Sequence, residues 1–123
     1  MSLTLIILCL IQVESGGNEL AIGDNQAAYG CLQIHDVCVQ DVNRIYGTSY
    51  AHEDCVDRQT SIDIAHLYLS YWCSPERLGR DPTWEDYAAC LNSGPQYFTK
   101  WEKTEAYRAK VLIEINKQKL REK

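Results

Sequence analysis

The segment from Leu3 to Ser15, LTLIILCLIQVES, is apolar almost all the way round a helix. A helix of that kind has to be buried on nearly every side. The rest of the chain must therefore wrap around it, and it becomes the axis of the core. Ser2 is placed to cap its start, and Gly16-Gly17 to end it. The run is much shorter than the roughly 20 residues that cross a bilayer. It also lacks the basic lead-in and small-residue cleavage site of a secretory signal, so it reads as a core helix. Glu14 stands at its end, one turn after Leu10 and Ile11 and two turns after Ile7. A carboxyl group on that face must be hydrogen-bonded, exposed or used.

The remaining punctuation predicts more helices. Residues 18–30 are rich in Gly, Asn and Asp and read as a loop, with room for a small hairpin around Gly23-Asp24-Asn25. A second helix is expected from Asp36 to Tyr46, ended by Gly47. A third is expected from about Arg58 to Trp72, with Ile62, Ala65, Leu69 and Trp72 on its inner face. Thr83 and Asp86 resemble a capping box that opens a fourth, which ends near Asn92 ahead of Gly94-Pro95. The last helix is expected from about Thr99 onward, with Tyr107, Val111 and Ile115 at i+4 spacing. No stretch sustains strand alternation, and no repeat or linker divides the chain. The expectation is a mainly α, single domain over residues 1–123, with a small loop or β-hairpin region after the first helix.

Charge narrows the function. The net charge of −5 argues against nucleic acid as a partner. Four Lys/Arg face thirteen Asp/Glu in residues 1–99, while eight face four from Lys100 onward. The basic tail is read as a solvated helix face. Six cysteines, at positions 9, 31, 38, 55, 73 and 90, fit either disulfides in an oxidising compartment or buried thiols packing as small hydrophobes. His35-x-x-Cys38 and His52-x-x-Cys55 could in principle close a tetrahedral zinc site. That spacing is uncommon for zinc, and a core of this size needs no metal. No cofactor is expected.

Glu14 carries the sharper chemistry. Burial on an apolar face raises a carboxyl pKa, and the helix C-terminus further disfavours a negative charge. An acid that stays protonated near neutral pH can donate to a glycosidic leaving oxygen. The plain alternative is a helix-terminal Glu solvated by the following loop.

The ordered segments Glu14-Ser15, Gly30-Cys31-Leu32-Gln33 and Leu91-Asn92-Ser93-Gly94-Pro95 resemble those of the lysozyme-like superfamily. Soluble lytic transglycosylase (SLT) domains are nearest in pattern, with E-S, G-x-x-Q and Y-N-x-G; here Leu91 replaces the Tyr. A weaker similarity to invertebrate-type (destabilase) lysozymes rests on Cys9, Asp24, Gly30 to Ile34 and Asn92 to Pro95. A cysteine of that family is missing where Gly17 stands, so its disulfide framework does not carry over.

The resemblance implies a lysozyme-like fold and a peptidoglycan-cleaving enzyme, a muramidase acting on the β-1,4 bond after N-acetylmuramic acid. It implies Glu14 as general acid, with Ser15, Gln33 and Asn92 in the sugar groove. Tyr97, beside the Gly94-Pro95 turn, is a further groove candidate. Asp24 is the candidate second carboxylate. With it the enzyme would be a hydrolase, the reading leaned towards; without it, a lytic transglycosylase forming 1,6-anhydro ends. A glycan binder that keeps the fold and has lost the chemistry is the remaining alternative. The chain is expected to act as a monomer on glycan strands, without a membrane span, at an extracellular or periplasmic site reached by a signal removed upstream or by another release route.

Overall fold

The structure is a computed structural model, and it describes residues 1–121. Helix α1 spans Leu3–Ser15. The Ser2 hydroxyl accepts from the Leu5 amide at 3.2 Å, and Gly16, at φ 65°, ends the helix in the left-handed conformation. Three two-residue strands follow: β1 (Ile22–Gly23), β2 (Ala28–Tyr29) and β3 (Ile34–His35). Then come α2 (Asp36–Tyr46), a 3₁₀ turn at His52–Val56, α3 (Arg58–Trp72), the short α4 (Pro75–Leu78) and α5 (Trp84–Ser93). A 3₁₀ segment, Tyr97–Thr104, leads into α6 (Glu105–Arg121). The fold is mainly α with a small hairpin sheet, as the sequence pattern predicts.

Helix α1 is the axis. Ile6, Ile7, Leu10 and Ile11 are buried, and the helix packs against α3, α5 and α6. Each such aliphatic side chain contributes about 1.5–3 kcal/mol on burial. Its partners include Ile64, Ala65 and Leu69 of α3, Ala88 and Ala89 of α5, and Val111 and Ile115 of α6. The inner face of α3 is rotated from the expected one. Ser61, Ile64, Ala65, Tyr68 and Leu69 are buried, whereas Ile62 and Trp72 lie at its edge.

The sheet is antiparallel in the order β1-β2-β3, with Ile22 opposite Tyr29 and Tyr29 opposite Ile34. Asp24, Asn25 and Gln26 all take positive φ in the β1–β2 turn, a conformation that Asn and Asp tolerate best among non-glycine residues. The expected hairpin is therefore present. The third strand, α4 and the 3₁₀ character of Tyr97–Thr104 were not foreseen.

Two polar devices fix this arrangement. The Gln33 side-chain amide donates to the carbonyls of Ala21 (3.1 Å) and Gly30 (2.9 Å), tying the loop to β3. Asp86, in the first turn of α5, is buried. It receives both arms of the Arg80 guanidinium (2.7 and 2.8 Å), the Thr83 amide (2.7 Å) and the Tyr97 hydroxyl (2.7 Å). Burial alone would raise its pKa, but these donors together lower it to about 2.

All six cysteines are free thiols, and all but Cys38 are buried. They pack as small hydrophobes, the second of the two readings of the sequence. Burial pushes the Cys55 thiol up to about 12 and raises Cys9, Cys31 and Cys38, which holds them as unreactive thiols at neutral pH.

Gly30 is the backbone position with least freedom. Its φ is 83°, and a Cβ there would sit 1.8 Å from the Cys55 carbonyl oxygen. Gly30→Ala should therefore destabilise the protein by about 3 kcal/mol or more, because strain and a backbone clash coincide. Urea denaturation measures it. A loss below about 1 kcal/mol would mean that the loop and the His52–Val56 turn shift apart without penalty.

Candidate active site

Glu14 ends α1 half-buried, and Tyr107 of α6 closes over it. The Tyr107 hydroxyl donates to Glu14 Oε2 at 2.8 Å, across 93 residues of sequence. Burial dominates the electrostatics and raises the carboxyl pKa from 4.5 to about 6. The Tyr107 hydrogen bond and the charges of His35 and Lys110 pull it down, while the charge of Asp24 pushes it up. Glu14 is thus an acid poised to be protonated in mildly acidic water and ionised above it.

Asp24, in the β1–β2 turn, faces the same site. Its Oδ2 lies 2.9 Å from Nε2 of His35 at the end of β3, and both side chains are largely exposed. The hairpin thus holds an Asp–His pair beside the half-buried acid. Beyond His35 runs a groove of about 240 Å³, lined by Gln33, His35, Cys38, Asn92 and Ser93 among others. Two of the motif segments, the β2–β3 turn and the end of α5, line this groove, and the Ser15 hydroxyl ties the end of α1 to the first of them.

A family profile described as Transglycosylase SLT domain matches residues 2–113. The chain belongs to that family. A search of curated proteins finds no match to the chain. Membership of the SLT family places this domain among the lysozyme-like proteins, with an activity of the peptidoglycan-acting kind.

In this SLT domain the remaining candidates fall into two groups. Asn92 is exposed on the groove wall, with its Oδ1 accepting from the Ser93 hydroxyl at 3.0 Å. Gln33 reaches the groove but spends its amide hydrogens on the loop, which leaves its oxygen as its free polar atom. The Ser15 hydroxyl donates to the Cys31 carbonyl at 2.7 Å and accepts from the Gly17 amide at 3.1 Å. It fastens the end of α1 to the β2–β3 turn and so positions Glu14. Tyr97 corrects the expectation placed on it. It is buried, with its hydroxyl on Asp86, so it supports the α5 wall from behind rather than lining the groove.

The two His-x-x-Cys pairs do not gather. His52 bonds the Ile34 carbonyl at 2.7 Å and stacks on Tyr29 at 3.8 Å, while His35 is held by Asp24. Tyr107, which sequence reading gave only as part of the i+4 stripe of the last helix, stands in the structure against Glu14. Its signal was only a polar tip on an otherwise apolar i+4 stripe.

The raised pKa of Glu14 has a stability consequence. The folded state holds the proton more tightly than the unfolded chain, so stability falls as pH rises from about 4.5 to 6 and stays lower above that window. Glu14→Gln should remove this penalty. It should stabilise the fold by about 1–2 kcal/mol at pH 7.5 and leave stability unchanged near pH 4. Thermal melts at the two pH values check it, and equal or lower stability of the variant at pH 7.5 would contradict the burial of this acid.

Proposed function

We propose that this SLT domain is a lytic transglycosylase that cuts the β-1,4 bond after N-acetylmuramic acid, with Glu14 as the single acid and base. The observation that carries the proposal is the half-buried carboxyl at the end of α1, held by Tyr107 and raised to about 6 beside a groove. Protonated Glu14 donates its proton to the glycosidic oxygen as the C1–O bond breaks. The carboxylate then accepts the proton of the muramyl C6 hydroxyl as that oxygen bonds to C1, closing the 1,6-anhydro ring and restoring the acid. Tyr107 occupies one carboxyl oxygen and leaves the other for the sugar. Asn92 and the side-chain oxygen of Gln33 offer polar contacts along the strand. The wall lies outside the cytosol, so the site of action is extracellular or periplasmic.

Hydrolysis is the second reading, and the Asp24–His35 pair is the feature that favours it. Asp24 is close enough to act on the charge of Glu14, and a carboxylate opposite the acid is what a hydrolase requires. Against it, the carboxylate of Asp24 is tied to His35 in an exposed turn, where it serves the hairpin. The proposal therefore departs from the preference for hydrolysis drawn from sequence. Mass spectrometry of fragments released from purified peptidoglycan separates the two. Anhydro ends that persist in Asp24→Asn support transglycosylation, whereas reducing ends that vanish in Asp24→Asn establish hydrolysis.

Two variants test the acid itself. Glu14→Gln cannot donate a carboxyl proton and should lose roughly 10²–10⁴-fold in turnover while remaining folded. A loss of only a few-fold would remove Glu14 from the chemistry. Tyr107→Phe removes a bond that lowers the pKa of Glu14. The acid should then stay protonated to higher pH, so the alkaline limb of the activity profile moves upward. Turnover at the optimum should fall on the order of tenfold as the carboxyl loses its anchor. An unmoved alkaline limb would show that Tyr107 does not act on the titrating group.

A further inference from the structure

A second groove opens beside the first, and Ser93 lines both. It encloses about 530 Å³ between the end of α3, α4 and the segment after α5. Trp72, Leu78, Pro95 and Phe98 give it apolar walls, and Arg77 and Lys100 stand at its rim. Two features mark it as more than a gap in the packing. Phe98 is 64% exposed, an unusual position for a large aromatic ring. Arg77 is held in place without a counter-charge. Its guanidinium lies 4.4 Å from the centre of the Trp72 ring and 5.0 Å from that of Tyr71. The Trp72 ring is itself fixed by its indole N–H on Asp41 at 2.7 Å. Neither Arg77 nor Lys100 has a carboxylate within ion-pair distance among the described residues. In residues 1–99, where Asp and Glu outnumber Lys and Arg thirteen to four, an Arg left unpaired at a groove is a charge available to an anion.

We infer that this groove receives the carboxylate-bearing peptide that branches from the muramyl residues of the glycan strand being cut. The inference rests on the proposed action at Glu14 and adds to it the recognition of the branch. A strand lying along the first groove passes Asn92 and Ser93, and a side chain leaving the strand there enters the second. Alanyl methyl groups and methylene chains suit the Trp72, Leu78 and Phe98 walls. Arg77 offers a planar fork to a carboxylate, and Lys100 offers a point charge. A bare sugar would use the aromatic faces but would leave both cations unmatched.

The test compares glycan strands that carry their peptides with strands stripped by an amidase, using the parent and the double variant Arg77→Glu, Lys100→Glu. Both positions are exposed, and circular dichroism checks that the variant is folded. The expected result is a loss on the order of tenfold or more in kcat/KM on peptide-bearing strands, with stripped strands cut as by the parent. Equal losses on both substrates would overturn the inference and give the groove to sugar. Titration of the free stem peptide, followed by NMR, needs no turnover and so reads the groove even if the parent cuts neither strand. Binding by the parent that the variant lacks supports the assignment. Failure of the parent to bind, or equal binding by both, overturns it.

Discussion

The hydrogen bond between Tyr107 and Glu14 joins the last helix to the end of the first, and the candidate site exists because that bond closes it. Without α6, Glu14 would lose the one side-chain donor that holds its carboxyl. With α6 packed on α1 through Val111 and Ile115, the carboxyl loses water on one side while a single directed donor holds it. The two effects oppose each other. Burial favours the neutral acid, and the tyrosine hydroxyl favours the anion. Their balance leaves the group near pH 6, where it can both give and take a proton. A fully buried acid would give only, and a fully exposed one would be ionised before it met a substrate.

The groove walls depend on a second buried carboxylate of opposite character. Asp86 is saturated by Arg80, Thr83 and Tyr97 and is held ionised. It starts α5 at a fixed point and ties the segment after α5 back to α5's own first turn. Asn92 and Ser93 lie between those two fixed points, and Phe98 directly follows the second. Glu14 and Asp86 show how environment separates two carboxyl groups in one small core. One has a single neutral donor and holds its proton up to about pH 6; the other has charged and neutral donors on both oxygens and is ionised well below that.

The longer helices were legible in the sequence because they carry their own punctuation, whereas the four-residue α4 is too short to show a periodicity. Ser2 and Gly16 bound α1, Gly47 ends α2, and Asp57 caps α3 through the Thr60 amide at 3.0 Å. Glu14 was legible as a candidate because an isolated acid on an apolar face is a local anomaly. The parts that sequence reading missed are set by distant contacts. A two-residue strand such as Ile34–His35 has no periodicity of its own; it exists because Gln33 bonds Ala21 and Gly30, and Gly30 passes against Cys55. Tyr97 and Tyr107 offer the same local signature, an aromatic ring with a polar tip in a mixed polar and apolar stretch. One meets Asp86 and the other Glu14, and only the packing of α5 and α6 decides which. Ser15 and Gln33, matched as motif residues, turn out to spend their hydrogens on the backbone, so their positions in the motif reflect the geometry that aims Glu14.

That geometry explains why the motif is discontinuous. The end of α1 must be fixed relative to a hairpin and to the end of α5, and no single segment can do it. Ser15 bonds the Cys31 carbonyl, which fixes α1 to the β2–β3 turn. Gln33 fixes that turn to the loop before β1. His35, two residues on, fixes Asp24 at the tip of the hairpin. Each link is a side-chain hydrogen bond that fixes register, because β1, β2 and β3 are too short to form a core of their own. The hairpin side of the site is therefore held by these polar bonds in addition to the burial of Leu32 and Ile34, and the α6 side mainly by apolar packing. The polar side is where binding energy from a long strand can be used to tighten the site. The apolar side holds the acid in place while that happens.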